Sequence, residues 1–300
     1  MDEIDFIGIG AGRSGTTWVV NILSEHPQIC CPHFGKLNYF APTRPHNKYS
    51  EYDKRGIKGY LTIFASCTSG KIKGDFSSYY MVNPKVAQII KKHFPRIKIW
   101  ACLRNPVERA YSDWLAFRNF KVKDTSDFES SFFQEQKELY PAGDGFRHRG
   151  FYFKQLKPYF DLFPREHIKI ILHEDILQDP KRVAKELYKF LGVDSTYVPR
   201  GLHERPGKST ETRFKFLRKM INSLAAFSHV LEEGQMGRFI FWVKRKTGIN
   251  TIFNTINDLN VRASEKPKLD YALQKKLKKI YKEDICNLEK LIKRDLSAWK

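Results

Sequence analysis

Long hydrophobic runs are missing from this sequence: nothing approaches the roughly 20 consecutive apolar residues that a membrane-crossing helix requires. The first residues, Met1-Asp-Glu-Ile-Asp, are acidic and run straight into an apolar segment, so the basic start of a secretory leader is missing too. Cysteine is scarce, 5 in 300 residues. Cys30, Cys31, Cys67, Cys102 and Cys286 contain one adjacent pair and no C-x-x-C. That pattern fits neither a disulfide framework nor a zinc site, and it predicts reduced thiols in a cytoplasmic setting. Repeats and low-complexity linkers are lacking, so the chain is predicted to fold as one domain over residues 1–300. Negative charge is in short supply: 53 Lys and Arg against 33 Asp and Glu leave a net charge of +20. Such a surface favours polyanions (nucleotides, acidic glycans, nucleic acid or an anionic membrane) without choosing among them. With 41% hydrophobic and 14% aromatic residues the chain has ample material for a folded core, which excludes a disordered basic tail.

What is there is organised around Ile4 to Leu23. Ile4, Phe6, Ile7 and Ile9 read as a strand. Gly10-Ala-Gly-Arg-Ser-Gly15 permits positive φ and close backbone approach. From Thr16 the pattern is helical, with Trp18, Val19, Ile22 and Leu23 at three- and four-residue spacing. Strand, glycine loop and helix start together make an anion site, because N–H groups converge at the positive end of the helix dipole.

A nucleoside-triphosphate loop would read G-x-x-x-x-G-K-[ST], its lysine reaching the β- and γ-phosphates. Here Gly10-x-x-x-x-Gly15 is followed by Thr16 and Thr17, and the cation sits inside the loop at Arg13. A diverged kinase loop or a plain Gly-rich β–α turn are the competing readings. Arg13-Ser14-Gly15-Thr16-Thr17-Trp18 resembles the phosphosulfate loop, [KR]-[SGT]-G-T-[TR], of sulfotransferases that use 3′-phosphoadenosine 5′-phosphosulfate (PAPS). Arg104-Asn-Pro-Val-Glu-Arg-Ala-Tyr-Ser112, at the end of the apolar run Ile97 to Leu103, resembles the same family's 3′-phosphate motif, R-[DN]-P-x-x-R-x-x-S. The resemblance implies that Arg104 clamps the 3′-phosphate, Ser112 donates a hydroxyl to it, and Gly12, Arg13, Ser14, Gly15, Thr16 and Thr17 hold the phosphosulfate.

One departure stands out. Glycan sulfotransferases and their bacterial relatives resemble K-E-[LP]-[HN]-[FY]-F after the first helix, and that glutamate is the base on the acceptor hydroxyl. Aligned on Asn38-Tyr39-Phe40, it falls at Lys36, whose ammonium has no lone pair to accept a proton. Asp75, at the end of a strand that resembles G-E-[KT]-[ST]-P-x-Y, is the first candidate to replace it; holding Lys or Arg side chains in place is its other reading. His33, an imidazole in the same loop as Lys36, is the second candidate, with a plain solvated histidine as the alternative.

Later segments read mainly as scaffold. Asn83-Pro84 caps a helix running to His93, residues Lys121 to Tyr140 form a polar insertion, and Ile168 to Leu172 is a third buried strand. Arg147 to Leu156 resembles G-x-Y-x-x-Q-L, and Asp179-Pro180 opens a helix that Gly192 closes. A basic loop containing Arg205, Lys208 and Arg213 resembles the one that covers the nucleotide in relatives; a solvated charge run is the plain reading. Met236 to Val243, followed by Lys244-Arg-Lys246, is a short apolar segment suited to an acceptor pocket or to peripheral membrane contact. Leu269 to Ile292 forms a helical stripe, and with Asp295 to Trp299 it resembles the bacterial sulfotransferase tail. The likeness covers residues 4–195 and 265–299 and is weak between.

The resemblance implies a P-loop-type α/β fold, a central parallel sheet flanked by helices with a helical lid, and residues 213–265 as an acceptor-side lid or insertion. It implies sulfuryl transfer from PAPS, leaving 3′-phosphoadenosine 5′-phosphate (PAP), to a hydroxyl or amine of a glycan or small metabolite. No metal and no nucleic-acid partner is expected. The absence of the anchor carried by animal Golgi members points to a soluble, bacterial-type relative. A non-catalytic polyanion- or nucleotide-binding protein and a diverged P-loop kinase are the alternatives.

Overall fold

The computed structural model describes residues 4–32, 37–42, 49–120, 127–133, 145–204, 210–212, 261–263, 267 and 269–300. The chain divides into two compact units, residues 1–207 with 269–300 and residues 208–268. In the second, strands β6 (Thr210–Thr212) and β7 (Val261–Ala263) pair antiparallel, Thr210 opposite Ala263.

The first unit is built on five parallel strands: β1 (Phe6–Gly10), β2 (Ile29–Cys30), β3 (Ile72–Phe76), β4 (Lys98–Leu103) and β5 (Ile168–Leu172). Their order is β2-β3-β1-β4-β5. Parallel neighbours need crossovers, and helices supply them. These are α1 (Thr16–Glu25), α2 (Glu51–Leu61), α3 (Pro84–His93), α4 (Pro106–Phe120), α5 (Phe128–Phe133) and α6 (Tyr152–Leu162). After β5 come α7 (His173–Gln178) and α8 (Pro180–Leu191), and α9 (Tyr271–Ile292) brings the chain back.

Alternation along the strands sorts the core into two layers. Ile7, Ile9, Ile99, Ala101 and Leu103 face Val86 and Ile90 of α3, Leu156 and Tyr159 of α6, and Leu277 and Tyr281 of α9. Phe6, Trp100 and Cys102 face Trp18, Val19 and Ile22 of α1 and Val183 and Leu187 of α8. Trp100 stacks on Phe76 at 5.2 Å between centroids, and only glycine fits at position 8 beneath them: a Cβ there would lie 2.2 Å from the Trp100 ring.

Local signals account for the helix ends. Asn83, Asn105 and Asp179 each accept a backbone N–H of the turn that follows, and Gly192 closes α8 at φ +83°. Helix α6 follows Phe151, which cannot cap it. The Asp284 carboxylate of α9 reaches across instead, accepting from Phe153 N at 3.0 Å. Burial raises the Asp284 pKa, and the α6 amides pull it back down.

The cysteine expectation is corrected here. Cys30 at the end of β2 and Cys67, beyond α2, form a disulfide, while Cys31, Cys102 and Cys286 are free. Spacing could not show it, because the two sulfurs meet only once α2 returns the chain to β3, which pairs with β2. Reduced thiols at 30 and 67 were the wrong expectation.

Candidate active site

The chain visits β2 and β3 on one side of β1 and then crosses to β4 on the other, which makes the carboxyl ends of β1 and β4 the switch point where open α/β sheets bind ligands. Both strong sequence motifs end there. Ala11 N donates to Cys102 O at 2.7 Å, pinning the glycine loop to the end of β4. Arg13 at φ +70° and Gly15 at φ +92° turn the loop into α1. Gly15 occupies the N-cap without a side chain, and the first turn of α1 holds no acidic residue, so the helix itself does nothing to neutralise its positive end.

Ser14 is fully buried, with its hydroxyl close enough to the Tyr152 phenol to act on its pKa. Thr16 is buried, Gly12 and Gly15 are half-buried, and Arg13 and Thr17 are exposed. Arg13 Nη2 donates to the Oγ of buried Ser112 at 3.5 Å, which joins the two motifs across 99 residues. The glycine loop and the stretch from Arg104 to Ser112 thus meet at the same end of the sheet.

Arg104 stands at the end of β4 as expected, but its guanidinium is occupied. Nε and Nη2 donate to Glu108 Oε2 at 3.1 and 2.7 Å. The four-residue spacing of Arg104, just before α4, and Glu108, in its first turn, carried that signal in the sequence. The Arg104 backbone carbonyl accepts from Tyr152 at 2.9 Å, and burial pushes the Tyr152 phenol up to about 12.

Asp75 stands next to last in β3, but not as a free base. It is 5% exposed, and Oδ2 accepts from Tyr80 at 2.7 Å and from Tyr60 at 3.1 Å. Oδ1 accepts from Phe76 N at 2.6 Å. Burial, and then the Asp75 charge, hold both phenols well above their usual pKa and push the Cys31 thiol up to about 12. Tyr80 Oη also accepts from Tyr39 N at 2.9 Å, and Ser77 Oγ donates to Asn38 Oδ1. Asp75 therefore anchors, through Tyr80, the segment just past Lys36. The sequence signal for this was the tyrosine pair around Asp75, which read only as motif.

Of the remaining site candidates, His33, Lys36, Arg205 and Lys208 lie outside the described residues, as do the apolar segment 236–243 and its basic flank. The last described residue before Arg205 is Glu204, two positions past Leu202, whose carbonyl accepts from Trp18 Nε1 at 3.1 Å. The sequence reading missed one cation. Arg149 is 6% exposed; Nη1 donates to Asp113 Oδ2 at 3.4 Å and Nη2 to Ser78 O at 3.5 Å, with the guanidinium over the Tyr79 ring. Among the described residues no cluster of three or more His, Cys, Asp or Glu could hold a metal ion.

The profile of the family described as "Sulfotransferase domain" matches residues 3–289. The chain belongs to the sulfotransferase family. A crystal structure of a sulfotransferase from Alicyclobacillus acidocaldarius superposes with a TM-score of 0.69 at 24% identity, covering 100% of this chain and 99% of the other; that likeness is one of fold. Among curated proteins the sulfotransferase domain is similar to the membrane-associated sulfotransferase kil1 of Dictyostelium discoideum, 23% identical over 63% of this chain and 56% of kil1. It is similar also to human heparan sulfate glucosamine 3-O-sulfotransferase 6, 23% identical over 62% of this chain and 51% of that protein. The matches therefore span about half the length of these relatives. Among the described residues no helix of this sulfotransferase is long and apolar enough to cross a membrane.

Proposed function

We propose that this chain is a PAPS-dependent sulfotransferase that moves a sulfuryl group to a hydroxyl or amine of a glycan or small metabolite. The observation that supports it is the Arg13–Ser112 hydrogen bond, between the two stretches that resemble the family's donor-binding motifs. Gly12 to Thr17 offer backbone N–H groups and hydroxyls to the donor's 5′ end, and Arg13 offsets the negative charge that grows on the bridging oxygen. Arg104 releases Glu108 to take the 3′-phosphate, with Ser112 beside it. The sulfur–oxygen bond to the 5′-phosphate breaks as the acceptor oxygen or nitrogen attacks in line, and PAP leaves. The acceptor's proton must go to a base. We assign that task to the segment holding His33, with imidazole as the acceptor of the proton, and make Asp75 the anchor of that segment. Residues 213–265, which fall in the second compact unit, are assigned to the acceptor side.

Isothermal calorimetry with PAP, ATP and heparin tests the donor. Preference for PAP supports the transferase; preference for ATP points to a kinase, and binding of heparin alone to a non-catalytic polyanion binder. The last reading has one observation in its favour, lysine at position 36 where a base is needed. Labelled PAPS incubated with a panel of glycans and metabolite extracts then identifies the acceptor. The Cys30–Cys67 bond favours an oxidising compartment over the cytoplasm. Alkylation of the protein in lysates of its own cells tests that.

A further inference from the structure

The 5′ end of the donor site, as the sequence motifs define it, has one cation, Arg13. The structure places a second one behind the loop. A Cβ built on Gly12 would sit 3.5 Å from Arg149 Nη2 and 3.4 Å from Ser78 Cβ. Arg149 therefore packs directly against the loop at Gly12. Its guanidinium is seated by three groups: the Tyr79 ring 5.1 Å away and the Ser78 carbonyl, both just past β3, and Asp113 of α4.

Asp113 follows Ser112, the partner of Arg13. Adjacent residues of α4 thus hold two guanidinium groups, one carried by the glycine loop and one packed against it. Asp113 also takes Arg109 Nη1, at 3.0 Å, so its better hydrogen bond goes to the cation farther from the loop. Two of the hydrogen bonds of Arg149, to Asp113 and to the Ser78 carbonyl, are 3.4 and 3.5 Å, longer than the roughly 2.7–2.9 Å of a strong charge-assisted bond.

We infer that Arg149 is a donor-binding residue, whose guanidinium engages the 5′-phosphosulfate through the gap left by the absent side chain of Gly12. This rests on the PAPS reading above. Arg149 would share with Arg13 the charge that develops on the 5′-phosphate as the sulfuryl group departs, and would set the affinity for the 5′ end without touching the 3′ end.

The test compares PAP with adenosine 3′-phosphate, which lacks the 5′ group, by calorimetry on wild type and Arg149→Lys. Lysine keeps one charge near Asp113 but loses the fork that serves Asp113, Ser78 and the ligand together. The expected result is a fall in PAP affinity of at least about tenfold, the size of one charge-assisted hydrogen bond, with adenosine 3′-phosphate unchanged. Equal losses for both ligands, or no loss for either, would overturn the inference, since a merely structural Arg149 moves the two together. A crystal structure of the wild-type protein with PAP decides the matter even if the variant does not fold: a guanidinium nitrogen within hydrogen-bond reach of a 5′-phosphate oxygen is expected, and a gap too wide for any hydrogen bond overturns it. If wild type itself does not bind PAP, the donor reading fails, a different outcome from a failure of Arg149 alone.

Discussion

At the scale of single residues, the Arg104–Glu108 pair joins the residue after β4 to the first turn of α4, its arginine side chain 14% and its glutamate 47% exposed. Such pairs contribute roughly 0–1 kcal/mol, so Arg104→Ala is expected to melt close to wild type while losing PAP affinity by at least about tenfold. Unchanged PAP affinity would remove Arg104 from the 3′-phosphate site. Asp75→Asn reads a different chemistry. One Asp75 oxygen serves two phenols and the other serves Phe76 N. An amide can satisfy one side only, so the variant is expected to lose about 1–3 kcal/mol in urea unfolding, while turnover falls less than the ~10²–10⁴ of a lost base. His33→Ala should show that larger loss with PAP affinity kept. The reverse pattern would restore Asp75 as the base. Arg13, Ser112 and Arg104 were legible because each follows a strand end within a motif of fixed spacing. Arg149 and the Asp75–tyrosine cluster were not. Arg149 meets Ser78, Tyr79 and Asp113, from 36 to 71 residues away, and a lone arginine before a helix carries no sign of what it will face; Asp75 has its tyrosines within 15 residues, but nothing in their spacing says that both phenols turn onto one carboxylate oxygen.

Elements were readable where a cap stands beside the apolar period, as at Asn83, Asn105 and Asp179. They were obscure where the cap is remote or the strand is short. β2 has 2 residues, and α2 is opened by a capping box, Ser50 with Asp53, inside a stretch whose aromatic and basic composition hid it. The tail shows the remote case. Glu174, at the start of α7, accepts from Trp299 Nε1 at 3.0 Å and from Asn105 N at 3.4 Å, so one carboxylate joins the chain's end to the head of α4. Burial raises the Glu174 pKa above its ordinary value. The folded protein then binds this proton more tightly than the unfolded chain. The stabilisation from that proton is full below the unfolded pKa and is lost as pH rises through the folded one. Glu174→Gln keeps an oxygen for both donors and never ionises. It should therefore gain stability relative to wild type near about pH 7 and lose that advantage near about pH 4, in urea titrations at the two values. A difference that does not change with pH would show that Glu174 ionises without cost.

For the whole molecule, the parallel sheet and the central placement of the donor site follow from a pattern visible along most of the chain. The disulfide does not, and it governs the sheet's outer edge. It spans 37 residues, and a loop of that size restricts the unfolded chain by about 4 kcal/mol in the chain-entropy description. Reduction, or Cys30→Ser with Cys67→Ser, is expected to lower the melting temperature; an unchanged melting curve would mean that the bond does nothing for folding. A second consequence concerns what lies within the closed circuit of covalent bonds from 30 to 67. That ring encloses Lys36 and His33, together with Asn38, Tyr39 and Tyr60, while the glycine loop, Arg104, Ser112 and Arg149 all lie outside it. If His33 takes the acceptor's proton, protein made in a reducing host would keep its nucleotide cradle whole and carry that residue in an untethered segment. Such a preparation would bind donor as the oxidised protein does and still fail to turn over, while melting lower and weighing about two hydrogens more.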